Sequence, residues 1–329
     1  MCNGSIMDKL VSFALPLMLS GILQLMFNAV DIIVVGRFSG SEALAAVGST
    51  TALINVFTNL FIGISLGANV LAARFFAAGR KEEMSETVHT SITLALISGI
   101  LMAFVGLVFS KGALELMGTP EDVIGLSTLY MRIYFMGMPF FMLYNYGAAI
   151  LRAVGDTKRP LYFLIIAGVI NAGLNMVLVI VFGLGVSGVG IATVFSQMVS
   201  CVLVLTCLCR TEGSYKLSFS KLSIKGYYLK QIFQVGIPAG IQSTVINFSN
   251  ALLQSSVNSF GSTAMAGYTA ANNILGFLYV SINSVTQACM SFTSQNFGVG
   301  KYKRMDRVLM DCMILSVGAD RKSTRLNSS

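Results

Sequence analysis

Eight long apolar runs decide what this chain can fold into. They lie near residues 10–35, 46–71, 88–110, 124–150, 160–182, 187–209, 232–257 and 266–292, and a ninth begins near 306. Each can cross ~30 Å of hydrocarbon as a helix, which takes about 20 residues. In hydrocarbon every backbone N–H and C=O must be paired within the structure, so only helices and closed barrels span it. A barrel would show period-two alternation between turn signals, and the sequence has no such run. The expected class is an all-α polytopic membrane protein. Composition agrees, with 55% hydrophobic and 11% charged residues and a mean hydropathy of +0.76.

The first run is read as a retained helix. Asp8 and Lys9 precede it, and it continues past Gly21 to Val35 with no small-residue cleavage site, too long for a secretory signal core. With the N-terminus inside, the cytoplasmic segments carry Lys9, then Arg74, Arg80 and Lys81, then Arg152, Lys158 and Arg159. They also carry Arg210, Lys216, Lys221, Lys225 and Lys230, and finally Lys301, Lys303, Arg304 and Arg307, sixteen basic residues in all. The outer segments carry only Arg37 and Lys111, with Arg132 near a helix end. That asymmetry sets the orientation and absorbs the net charge of +8, so no nucleic-acid partner is implied. A multi-pass protein of the plasma (inner) membrane, acting as a monomer within the lipid bilayer, is expected.

The chain contains its own beginning twice. At an offset of 222, residues 10–38 fall on 232–260, with Pro16 on Pro238, Asn28 on Asn250, Ala29 on Ala251, Val35 on Val257 and Phe38 on Phe260. At an offset of 221, Phe76, Gly79, Arg80 and Met84 fall on Phe297, Gly300, Lys301 and Met305. Six spans separate the copies, an even number, so the repeats are parallel and related by an axis along the membrane normal, as in transporters whose halves move about a central site. The domain reading is a six-helix bundle over 1–210, a polar and basic cytoplasmic linker over 211–230, and an incomplete second bundle over 231–319. Two copies of about 220 residues would need about 440, so the second is expected to be cut short. Residues 320–329, Asp320 to Ser329, break a helical pattern with a polar string and are expected to be a non-native tail.

Asp31 is the first candidate for chemistry. A carboxylate within the hydrocarbon costs ~2.5–3.5 kcal/mol even on the lenient insertion scale, so it normally faces a cavity and has a job. Desolvation disfavours the charged form of a carboxylate, which suits a proton carrier. An interfacial pairing with Arg37 is the structural alternative. The second copy holds Leu253 at the matching place, so ion coupling is expected in the first half. Gln24 and Asn28 precede Asp31 by seven and three residues, on its face of the helix. Asn171 and Asn175 lie one turn apart in the 160–182 run, and Thr193 lies in the next. Such groups also serve as interhelical glue.

At these positions the sequence resembles the multidrug and toxic compound extrusion (MATE) transporters. The residues that carry the resemblance are Pro16 with Asp31-Ile-Ile-Val-Val-Gly36 and Leu44-Ala-Ala-Val-Gly48. Further on they are Arg152-Ala-Val-Gly-Asp156 with Pro160, Gly183-Leu-Gly-Val-Ser-Gly188 with Ala192-Thr193, and Gly236-Ile-Pro238. The resemblance covers residues 8–319. It implies a MATE-like fold, in full twelve helices in two six-helix bundles forming a V, and alternating access driven by a proton or sodium gradient, with no other cofactor. By position it implies Asp31 as the coupling carboxylate, Asn171, Asn175 and Thr193 around it, and Pro16 as the site of helix bending. Many members carry Asp where this chain has Asn175, and an amide does not titrate. The implied activity is antiport of lipophilic, cationic small molecules; the 18 Met and 22 Phe would suit a plastic apolar wall.

Two other readings are carried. One is a flippase for lipid-linked precursors in the same superfamily, for which the helices are poor in interior Lys and Arg. The other is an intramembrane serine hydrolase built on Gly63-Ile-Ser65-Leu-Gly67, a G-x-S-x-G pattern. That pattern needs a strand-to-helix elbow, and here it sits inside an apolar helix where close packing through Gly63 and Gly67 is the simpler account. The six cysteines include Cys207 and Cys209 as a C-x-C without a second ligand pair, so no metal site is expected. No catalytic residue and no ATP-binding loop is expected either.

Overall fold

The computed structural model describes the backbone of residues 1–258 and 262–327. The side chains of residues 52, 247–248, 250–252, 254–258, 262–274 and 319–327 lie outside the description. The repeat match at Phe260 and the side chains of the expected tail over 320–329 therefore lie outside the described residues. Among the described residues the fold is helical without strands. In chain order the helices are α1 (Ile6–Phe38), α2 (Gly40–Ala77), α3 (Lys81–Leu116), α4 (Glu121–Met136), α5 (Met138–Ala153) and α6 (Lys158–Asn175). They continue with α7 (Gly185–Arg210), α8 (Gly226–Asn258), α9 (Ser262–Gly298) and α10 (Tyr302–Asn327). A wide π-helical turn, Met176–Val181, extends α6.

Five of these helices are long and apolar enough to cross a membrane by composition, among the described residues: α1, α2, α3, α6 with its π turn, and α7. Their outward faces are apolar. On α3 the side chains of Ile97, Ile100, Leu101, Phe104 and Val108 are exposed, while Met102 and Gly106 on the other side are buried. A soluble helix turns such a stripe inward; here lipid takes the place of the core, and the chain is a multi-pass membrane protein.

The run expected as one span over 124–150 is divided. Gly137 donates to the Tyr134 carbonyl at 3.0 Å, and Pro139 at the start of α5 lacks an N–H to continue the ladder. The result is two 16-residue helices, α4 and α5. A Cβ on Gly99 of α3 would collide with Pro139, so the break is packed against a glycine.

Asp156 explains one familiar-looking motif. Gly155 takes φ +99° in the turn after α5, and the Asp156 carboxylate accepts from the Arg159 N–H at 3.1 Å and pairs with its guanidinium at 3.1 Å. One orphan donor of the α6 N-terminus is thereby satisfied.

The second half meets the first along its basic end. The seam between α2 and α8 is made of glycines, with Gly63 against Gly240 and Gly67 against Ile232 and Gly236. Phe13 of α1 stacks edge-on to Phe292 of α9 at 5.6 Å. Two buried hydrogen bonds, from Ser291 and Gln295, cross the same boundary, and a third orients Asn69 within the first half. Asn69 Nδ2 donates to the Ala149 carbonyl at 2.8 Å, Ser291 Oγ donates to Asn69 Oδ1 at 3.0 Å, and Gln295 Nε2 donates to the Ala153 carbonyl at 2.7 Å. The last bond satisfies one of the orphan carbonyls at the C-terminus of α5.

Candidate functional site

Inside the first bundle a cavity of about 340 Å³ opens between α1, α2, α4, α5, α6 and α7. Asp31 lines it, only 8% exposed. The side chain could have faced lipid or paired with Arg37; instead the helix turns it inward, and Asp31 makes no ion pair among the described residues.

Three helices converge on that carboxylate. Asn175 Nδ2, at the end of α6, donates to Asp31 Oδ1 and also to Asn171 Oδ1 at 3.2 Å. The Thr193 hydroxyl of α7 is within hydrogen-bonding reach of Asp31, and in another rotor position it donates to the Val189 carbonyl at 2.9 Å. Asn171 and Asn175 are both buried. Their shared face follows from the four-residue spacing, one turn of helix. Asn175 Oδ1 is buried without a partner, an acceptor left open next to the carboxylate.

Gln24 and Asn28 line the same cavity two turns and one turn from Asp31, respectively. Pro16 lies four turns away within an unbroken α1. Ser20 Oγ donates to the Pro16 carbonyl at 2.8 Å, and Pro16 lies inside the continuous helix.

Several lining residues were not anticipated from sequence. Tyr130 and Tyr134 come from α4 and Tyr144 and Phe141 from α5; Asn55 and Asn59 come from α2 and Gln197 from α7. Asn55 and Asn59 repeat the four-residue amide spacing of Asn171 and Asn175, a signal the sequence did contain. The wall is thus aromatic rings and carboxamides around a single carboxylate. No Lys, Arg or His lines it among the described residues.

The serine pattern has a packing role. Ser65 is 1% exposed and its hydroxyl donates to the Ile62 carbonyl at 2.7 Å, while Gly63 and Gly67 admit α8. His89 is engaged elsewhere, its Nδ1 with the Ser85 carbonyl at 2.7 Å and its Nε2 accepting from the Ser218 N–H at 3.1 Å.

The comparisons with known proteins agree with this architecture. The family model MatE matches residues 16–177 and 238–320. "Probable multidrug resistance protein YoeA" of Bacillus subtilis is 33% identical over 314 residues, covering 93% of this chain and 67% of that protein. "Probable multidrug resistance protein YpnP" of the same organism is 28% identical over 305 residues, covering 92% and 68%. The chain therefore spans about two thirds of these relatives. Among solved structures, the "outward-facing conformation of a multidrug resistance MATE family transporter of the MOP superfamily" superimposes with a TM-score of 0.90 at 23% identity, over 98% of this chain and 72% of that one. A duplicated helical chain, a polar cavity in its first half and the family match over both halves lead to one conclusion: this chain belongs to the MatE family, the multidrug and toxic compound extrusion transporters of the membrane, which are not enzymes.

Proposed function

We propose that the intact protein is an antiporter that exports lipophilic, cationic compounds at the expense of an ion gradient, with Asp31 as the coupling group. The observation that carries this reading is a single carboxylate in an aromatic and amide-lined cavity that holds no basic residue among the described residues. An organic cation and a coupling ion then compete for one anion, and competition for a shared site is sufficient for exchange. The aromatic faces of Tyr130, Tyr134 and Phe141 add cation–π attraction to such a ligand.

The coupling ion is a proton or a sodium ion. With Asp31 protonated, the Asn175 carboxamide can turn over so that its unpartnered Oδ1 accepts that proton in place of the Nδ2 donation, and the same oxygen with Asp31, Asn171 and Thr193 gives a set of hard oxygen donors suited to a small cation. Asp31 is the one carboxylate lining the cavity among the described residues and the Asn175 amide does not titrate, so one charge is exchanged at this site per cycle. In the cycle, ion binding at Asp31 bends α1 at Pro16 and shrinks the cavity, releasing substrate outward. The basic face is cytoplasmic by the positive-inside rule.

The test is gradient-driven export by the full-length protein carrying Asp31→Asn. Export is expected to be lost while membrane insertion is retained; export at the normal rate refutes the assignment. Export driven by a sodium gradient at fixed pH, against export driven by a pH gradient without sodium, separates the two ions. A flippase for polyanionic lipid precursors would want a cationic wall, and this cavity offers the opposite charge.

A further inference from the structure

The basic face carries two docked segments, each leading into the first helix of one half. The N-terminal segment, which leads into α1 of the first half, is held by the second half. Lys301 Nζ donates to the Cys2 carbonyl at 2.9 Å and to Asn3 Oδ1 at 2.6 Å. Arg304 Nη2 donates to the Gly4 carbonyl at 2.8 Å and to the Met1 carbonyl at 3.4 Å. The segment reaches back to its own half as well. Lys9 Nζ binds the Asn3 carbonyl at 2.7 Å, and Met1 Cε lies 3.4 Å from where a Cβ on Gly155 would stand.

The linker, which leads into α8 of the second half, is held in turn by the first half. Its Ser218 N–H donates to His89 Nε2 at 3.1 Å and its Lys225 N–H to Thr90 Oγ1 at 3.4 Å. Tyr228, at the start of α8, stacks edge-on with Phe75 of α2 at 5.9 Å. Carried back by the 222-residue offset of the repeat, residues 223–226 correspond to 1–4. Each half thus docks the segment that leads into the other half's first helix.

We propose that these crossed segments are latches that hold the basic face shut, and that they must release for the halves to part there. Three features of the structure point the same way. In the N-terminal latch the donors are the cationic Lys301 and Arg304, which makes those bonds stronger than neutral ones. Met1 lines a cavity together with Gln295 and Phe292 of α9, so the N-terminal latch lies beside the seam that Gln295 closes and reinforces it. The N-terminal segment lies outside any helix, since α1 begins at Ile6, and it can leave its partners without unwinding a helix. That the basic face must open at all rests on the alternating exchange proposed above.

The experiment is a distance measurement between spin labels on the full-length protein in lipid nanodiscs, at Lys81→Cys on α3 and Lys303→Cys on α10, in a background without native cysteines. Both positions are exposed and lie on opposite halves. With Lys301→Met and Arg304→Met together, the population with separated labels is expected to rise about tenfold, the change that the loss of two cationic anchors at an exposed rim can make. Lys301→Arg alone is expected to leave the distribution as it was. Should the double variant fail to insert, His89→Leu with Thr90→Val cuts the other latch and is read in the same way. An unchanged distribution in an inserted latch variant overturns the proposal. The readout needs neither gradient nor substrate, so it stands apart from the antiport reading, which fails or survives on export by Asp31→Asn.

Discussion

Gly63 of α2 and Gly240 of α8 face each other across the two halves with nothing between their backbones: a Cβ on Gly63 would overlap the Gly240 Cα and N. Lipid offers little hydrophobic drive for helix association, so backbone proximity and van der Waals contact do the holding. Gly63→Val or Gly240→Val should therefore cost about 1–3 kcal/mol, the range for overpacking a closed interface. Gly112, with open space around it, should accept Ala without penalty. Thermal unfolding in detergent distinguishes the two, with a lowered midpoint for the seam variants alone.

Asn175→Asp would place a second titratable group one hydrogen bond from Asp31. Export should then depend more steeply on external pH, because two groups join one titration. Asn175→Leu instead removes the donor to Asp31 and should lower export about tenfold, the loss of roughly 1.4 kcal/mol of charge-assisted bonding. The measurement is initial export rate against external pH in membrane vesicles; identical curves for Asn175→Asp and the parent would remove the amide from the coupling site.

Asn55 and Asn59 sit across the cavity from the Asp31 cluster and supply polar edges without charge. Asn59→Leu should weaken substrates with hydrogen-bonding rims by about tenfold and leave purely aromatic cations nearly unchanged. Equilibrium binding of two such dyes by fluorescence anisotropy checks it, and a uniform loss for both would indicate collapse of the cavity.

Gln295 gives the α5 C-terminus a partner from the second half. Gln295→Leu leaves the Ala153 carbonyl without that bond, at about 1–3 kcal/mol for an unsatisfied buried acceptor. Hydrogen exchange should quicken at the last turn of α5 and in the Gly155 turn before it changes elsewhere; a uniform increase would mean that the bundle as a whole has loosened.

Much of the fold was legible because lipid makes helix identity a matter of run length. The even offset of six spans from the run of Pro16 to that of Pro238 gave the parallel repeat for the same reason. The break at Gly137 escaped because Met-Gly-Met-Pro sits within one apolar run, and only tertiary packing at Gly99 shows that the chain stops and restarts there. Asp31 and its neighbours stood out by the cost of polarity in hydrocarbon. The tyrosines of α4 did not, since rings in an apolar run read equally well as packing. Gly63 and Gly67 were readable as packing glycines, but their partners Gly240 and Gly236 lie far along the chain, and spacing alone cannot pair them.

The π turn over Met176–Val181 begins at the residue after Asn175 and ends just before the Gly183 turn into α7. One extra residue is held in that turn, so the end of the segment stands about 100° further round than a plain helix would place it, where the chain enters the Gly183 turn. Asn175 on one side and Thr193 on the other meet Asp31 across that offset. The segment behaves like a gear with one tooth added: loss of any single residue between 176 and 181 should let it relax into an ordinary helix and start the turn into α7 from a different side of α6. A length change, harmless in most loops, is here the mutation class that should disable the site while every named side chain remains in place.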